Sequence, residues 1–202
     1  MKRQILEPKH IDFFDKHGWV LFQDLIPPSM LSACRTLLAK NCSTRNVWKS
    51  HEPIKKLSFH FLFAHIAAQL TRLKQLRFAF DHYFPSLDNL ISFLARGPSL
   101  NALNSIDKLE IGLLLNLSDV TSEDSLSSLP SVGGSGTFFS ALSSPLDLTV
   151  KDIAGPFLLI TYCHAHSRYL YKVADPFTHD VKQESCAFGD KLANSYHPLV
   201  YY

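Results

Sequence analysis

Three features of the 202-residue chain predict an α+β fold. Apolar residues recur at helical spacing through much of residues 1–88. From residue 90 onward they fall into short runs separated by Gly, Pro, Ser and Asp, the pattern of strands in a sandwich or barrel. The content is 46% apolar and 12% aromatic, with 15 phenylalanines available to fill a sheet interface. The length fits one domain over 1–202, with a mainly helical part (1–88) holding one short strand and a β-rich core (89–202).

Residues 8–17 read as a short helix with Ile11 and Phe14 on one side. Gly18 ends it, since glycine readily takes the conformation that closes a helix. Trp19–Phe22 is a short apolar strand, and residues 24–28 form a turn. Pro27 and Pro28 can open a helix, whose first amides lack partners in any case. Leu31, Cys34 and Leu38 continue it to about residue 40. Residues 41–53 are polar and irregular. Residues 54–84 read as helical, in one or two pieces, with an apolar stripe of Ile66, Leu70, Leu73, Phe80 and Phe84. Arg72, Lys74 and Arg77 lie outside that stripe as a solvated face. Pro85 stops the helix. Apolar strands follow at 111–117 and 157–162. The loop between them, residues 118–145, holds ten serines. Within it, Gly133-Gly-Ser-Gly136 lacks both the Lys-Ser/Thr of a phosphate loop and the spacing of a hydrolase elbow, so it reads as a glycine-rich lead into a strand.

Composition narrows the function classes. The net charge is +2 and 19% of residues are charged, without the concentrated basic face of a nucleic-acid binder. Cys34, Cys42, Cys163 and Cys186 form no C-x-x-C pair, which argues against a thiolate zinc site and fits reduced thiols. The first ten residues show no apolar signal core, and no apolar run approaches the ~20 residues of a membrane span. A soluble, cytoplasmic protein without membrane contact is expected.

Polar side chains with site chemistry crowd the last fifth of the chain: His164, His166, Asp175, His179 and Asp180. Strand alternation would put His164 and His166 on one face, and with Asp175 they could hold zinc, iron or nickel. The simpler reading is a polar hairpin tip, Cys163-His-Ala-His-Ser-Arg168. Arg168 and Lys172 are the nearby cations able to anchor an anionic ligand. Cys163-His164 is no catalytic dyad, because neighbours on a strand face opposite ways. His60 and His65 are badly spaced for a shared metal, and Phe59-His-Phe-Leu-Phe63 suggests burial. His51-Glu52 stands as an isolated loop pair. Asp119, Glu123 and Asp124 form an acidic patch whose plainest role is solvation.

Two stretches give these residues a context. Residues 13–31 run helix, glycine, short strand, Leu-Ile-Pro, helix. Further on come the 111–117 strand, Gly133-Gly-Ser-Gly-Thr-Phe138, and Gly155 followed by a strand ending near His164. In this order they resemble the iron(II)/2-oxoglutarate oxygenases of the phytanoyl-CoA dioxygenase and prolyl hydroxylase type. The resemblance implies a double-stranded β-helix (jelly roll) of seven or eight strands with flanking N-terminal helices. It also implies Fe(II) and 2-oxoglutarate as cofactors, held by two histidines and one carboxylate. The second histidine would be His164 or His166. The first should precede the 111–117 strand, yet no histidine lies between Tyr83 and Cys163. That region offers Asn101, Asn104 and Asp107. Ala174 and Pro176 stand where the 2-oxoglutarate anchor belongs. A second register, Gly189-Asp190 with His197, leaves no room for that anchor.

Ordinary oxygenase activity is therefore not expected. The sequence points to a pseudo-enzyme that binds a small acidic ligand, a metal or a protein partner, or to an enzyme of divergent chemistry. The alternatives are a divalent-cation-dependent transcription regulator, with residues 54–84 as its only DNA reader, and an iron oxygenase with non-standard ligands. The low charge gives DNA binding little counterion-release drive.

Overall fold

Residues 109–116 supply seven buried side chains out of eight and form the central strand of the protein. The computed structural model describes residues 6–38, 44–120, 127–150, 153–184 and 186–202. Cys42, Glu123 and Asp124 lie outside the described residues, as does the side chain of Leu38. Six strands form one curled antiparallel sheet. They are β1 (Trp19–Phe22), β2 (Leu76–Phe84), β3 (Leu109–Asn116), β4 (Gly136–Ser140), β5 (Phe157–His164) and β6 (Leu199–Tyr201), in the order β1-β4-β3-β5-β2-β6. The helices are α1 (Pro8–His17), α2 (Pro28–Leu38), α3 (Glu52–Ser58), α4 (Phe61–Thr71) and α5 (Leu87–Leu94). None is long and apolar enough to cross a membrane.

Local chemistry sets the helix ends. Glu7 and His10 close a reciprocal capping box on α1, in which His10 Nδ1 accepts the Glu7 amide at 3.1 Å. Gly18, at φ 74°, ends the helix by donating its amide to the Phe14 carbonyl. Pro28 opens α2. The His60 imidazole caps α4 by accepting the Leu62 amide, and Arg72 ends it in the left-handed region. His51 and Glu52 sit at the start of α3, not on a free loop. Phe63 is buried as expected, whereas Phe61 is 66% exposed.

The helical reading of 54–84 holds only to Thr71. Residues 76–84 are β2, and all nine are buried. A strand covered on both faces loses its polar–apolar alternation, so its period cannot be read. Its aromatics, Phe78, Phe80, Tyr83 and Phe84, favour the pleated sheet. The three bases divide accordingly. Arg72 pairs with Asp15 at the surface and Lys74 is exposed. Arg77 is buried, with its guanidinium donating to Asn194 Oδ1 and to the Ala165 and His197 carbonyls. Helix α5, capped by the Ser86 hydroxyl, straddles the boundary where β-structure was expected to begin.

The sheet separates two apolar layers. One face packs Ile111, Leu113, Leu158, Ile160 and Tyr162 against Phe14, Leu31, Leu57, Phe63 and Ile66 of α1–α4. The other packs Leu114, Phe139, Phe157 and Leu159 against α5 and irregular segments carrying Leu100, Ile106, Tyr169 and Leu192. On this second side, two isolated antiparallel bridges, Ile106–Tyr169 and Arg168–Lys191, tie residues 105–107, 167–170 and 189–192 together. Where seven or eight strands were expected, six are assigned among the described residues, all in the one sheet.

Gly133 fits the turn into β4 because a side chain would collide with backbone. A Cβ there would lie 2.1 Å from the Ser118 carbonyl oxygen. Gly133→Ala should therefore destabilise the protein by about 3 kcal/mol or more, as displaced backbone is among the costly mechanisms. Urea denaturation checks this; a shift within error would show that the turn has slack.

Candidate binding sites at the two ends of β5

The β2–β5 register runs from Leu76 opposite His164 to Phe84 opposite Phe157, so it defines two ends. At the first, β5 stops at His164 and the chain turns, with the Ser167 amide donating to the His164 carbonyl. The turn brings His164 and His166 together, ring centroids 5.3 Å apart. His164 Nδ1 accepts the His166 amide at 3.1 Å and is thereby engaged. His164 is partly buried and His166 exposed.

The other predicted site residues are held by backbone groups. Asp175 is 3% exposed; its Oδ2 accepts the Ser105 amide at 2.8 Å and its Oδ1 the Phe177 amide at 2.9 Å. The Arg168 guanidinium donates to the Gly189 carbonyl, and the Lys172 ammonium to the Asn101 carbonyl. Burial lowers the Lys172 pKa, against Asp107 and Asp175, which raise it. Asn101 Oδ1 accepts the Leu109 amide, Asn104 Oδ1 the Ile106 amide, and Asp107 Oδ1 the Arg168 amide. In the second register, the Asp190 carboxylate caps the Ala187 amide, and the buried His197 ring contacts the Ala79 carbonyl. Among the described residues no group of three His, Cys, Asp or Glu side chains can hold a metal ion. His164, His166 and Asp175 thus do not assemble into a triad, and the residues present do not fit an iron(II) centre.

Glu110 is a residue that sequence reasoning missed. It occupies the bulge where β3 slips against β5 between Leu109 and Ile111. Burial raises its pKa, while His164 and Lys108 lower it. An acid inside an apolar strand was its only signal. Cys163 turns into the core, and burial pushes its thiol up to about 12, which rules out a thiolate nucleophile at neutral pH. Asp119 faces Arg35 at 3.3 Å on the surface.

Two adjacent residues of β2 dominate the other end. Asp81 is fully buried, and its carboxylate accepts the Val47 amide (2.6 Å), the Trp48 amide (3.1 Å) and the Ser58 hydroxyl (2.9 Å). It pins the short 3₁₀ turn Val47–Lys49 to the sheet. Burial pushes its pKa up to about 6, against those hydrogen bonds and Arg45, which pull it down. His82 packs against Phe84 (4.5 Å), Phe93 (4.9 Å) and Phe177 (5.3 Å). Burial, with Arg45 and Arg96 nearby, drives its pKa down to about 3, so the ring is neutral. Its buried Nδ1 has no hydrogen-bond partner among the described residues. The Arg45 guanidinium lies 3.3 Å from the Phe80 ring centroid.

His82, Phe93, Phe177 and Arg96 line a cleft of about 280 Å³. By contrast, the space enclosed by Phe80, Asn104, Asp175 and His197 is only about 10 Å³, room for about one water.

This architecture is the fold type of the non-heme, alpha-ketoglutarate-dependent enzymes. The epimerase SnoN from nogalamycin biosynthesis superposes with a TM-score of 0.68 at 13% identity, over 96% of this chain and 95% of that one. CT296 from Chlamydia trachomatis gives a TM-score of 0.60 at 20% identity, over 82% of this chain and 99% of that one. HygX from Streptomyces hygroscopicus, solved with nickel, 2-oxoglutarate and hygromycin B, gives 0.52 at 8% identity, over 78% and 86%. No protein-family profile and no curated protein sequence matches the chain.

Asp81 carries a pH signature. Its folded pKa of about 6 exceeds the unfolded value of about 4, so the folded chain holds this proton more tightly. Its contribution to stability is therefore highest below pH 4, falls as pH rises towards 6, and is flat above. Asp81→Asn should lose roughly 1–3 kcal/mol at pH 7, because an amide cannot accept from all three donors. The loss should grow towards pH 4, where the wild-type carboxyl is protonated in the folded chain and contributes most, while the amide does not titrate. Urea titrations of both proteins at pH 4, 5, 6 and 7 decide this, and a pH-independent difference would refute the assignment.

Proposed function

We propose that this protein is a binding protein built on a jelly-roll scaffold of the iron(II)/2-oxoglutarate type, in which iron chemistry has been given up. The three short segments bridged opposite the main sheet stand for the second sheet of such a roll. One observation carries the reading. The side chains that the sequence offers as candidate ligands or anion anchors, Asn101, Asn104, Asp107, Asp175, Arg168 and Lys172, hydrogen-bond to backbone groups. A facial triad needs two imidazoles and a carboxylate free to point at one ion. Here a histidine pair stands without such a carboxylate. Any cation it takes is held by two imidazoles alone, and loosely.

Anaerobic iron(II) titration followed by calorimetry, with and without 2-oxoglutarate, tests the reading. The expected result is no one-to-one site and no consumption of 2-oxoglutarate in air. Any rise in melting temperature caused by nickel or zinc should vanish in a His164→Ala/His166→Ala double variant. One-to-one iron binding coupled to 2-oxoglutarate turnover would overturn the proposal. A cation-dependent, salt-sensitive DNA shift would do the same in favour of a regulator.

A further inference from the structure

The cleft at the far end of β2 has the composition of a ligand site. Its walls are the rings of His82, Phe84 and Phe93, with Phe177 edge-on to His82. Flat aromatic walls favour a planar guest through offset and edge-on contacts. At about 280 Å³ the cleft lies just below the range of roughly 300–1,000 Å³ usual for small-molecule sites, which limits the guest to one or two rings. Arg96 is exposed at its edge, with the fork of donors that suits a carboxylate. The lining residues include no Asp or Glu. The buried acids next to lining residues are engaged: Asp81 by Val47, Trp48 and Ser58, and Asp175 by the Ser105 and Phe177 amides. Arg45 adds a second positive charge close to His82. Within the wall, His82 Nδ1 is a buried polar atom with no hydrogen-bond partner among the described residues, which a ligand's ring substituent can satisfy.

We propose that the cleft formed by His82, Phe93, Phe177 and Arg96 binds a small planar organic anion, an aromatic carboxylate of one or two rings, with the ring between the aromatic walls and the carboxylate on Arg96. The proposal deepens the reading of the chain as a binding protein by naming a ligand class and a place. That place is distinct from the histidine pair. Leu76 and Phe84 mark opposite ends of β2, roughly 25 Å apart at the rise of an extended strand.

Titrating the full chain with benzoate and with indole-3-carboxylate, followed by NMR, tests it. Saturable shifts confined to His82, Phe93, Phe177 and Arg96 are expected. Arg96→Gln, a surface change that leaves the fold alone, should raise the Kd about tenfold through loss of the charge-assisted pair. His82→Phe, which keeps the ring and removes the nitrogens, should raise it about fivefold. Indole-3-carboxamide should bind far more weakly than the acid. Absence of saturable shifts, equal binding of amide and acid, an unchanged Kd in Arg96→Gln, or tighter binding of 2-oxoglutarate at these residues would each overturn it. Iron titration reports on the His164 end, so failure here and failure of the wider reading are separable.

Discussion

The middle of the sheet is covered on both faces, and that one condition determines where polarity can stand. Strands β3, β5 and β2 are almost wholly buried between the helical layer and the irregular layer. A polar group there must find its partner inside, since leaving it unmade costs about 1–3 kcal/mol. Thr161, Asn116, Arg77 and Asp81 meet this condition by tying other segments to the sheet, whereas His82 Nδ1 and the Tyr162 hydroxyl have no hydrogen-bond partner among the described residues. Thr161 Oγ1 donates to the Phe80 carbonyl and accepts the Phe80 amide across the β2 bulge. Asn116 donates to the Pro130 and Ala154 carbonyls and accepts the Ser118 amide, gathering three loops at the end of β3. Arg77 binds the C-terminal segment and Asp81 the 47–49 turn. The long connections are therefore anchored by the few polar residues that interrupt the apolar strands.

The sequence was legible where the signal is local. Gly18, Pro28, the apolar runs at 111–117 and 157–162 and the glycines before β4 each mark their element within a few residues. It was illegible where burial is two-sided. Strand β2 carries the aromatic content of a strand, but no alternation separates it from the helix before it. The same limit hid the second site. Val47 and Asp81 are 34 residues apart, and nothing in either neighbourhood announces that one caps the other. His164 and His166 could be read as a pair because only Ala165 separates them. Asp175 has the residue type of a ligand, and only the fold shows its two oxygens occupied by amides.

The two ends of β5 thus present opposite electrostatic situations. At the His164 end, charged groups are close to compensating partners: Arg168 and Lys172 on carbonyls, Asp107 on an amide, Glu110 near His164 and Lys108. At the His82 end, a desolvated, neutral imidazole faces a cleft with the exposed Arg96 at its edge, and the described residues lining that cleft include no acid. A binding site keeps functional groups unsatisfied by the protein so that a ligand can satisfy them. By that criterion the His82 end is the better candidate, although the fold's resemblance draws attention to the other.

On the proposed reading, the lack of a facial triad among the described residues is also built into the backbone and is not a matter of one missing histidine. Asn104 accepts the amide two residues ahead, a turn that suits the short side chains of Asn and Asp. That amide belongs to Ile106, which bridges to Tyr169. Swinging Asp107 towards an ion would release the Arg168 amide beside the same bridge, and swinging Asp175 would release those of Ser105 and Phe177. Each donor recovered for iron would loosen the short ladder of 105–107 with 168–170 that closes the second layer over the sheet. Capping and coordination compete for the same lone pairs. In this chain the side chains serve the cap, so regaining a facial triad would require rebuilding residues 101–109 and 168–177 together.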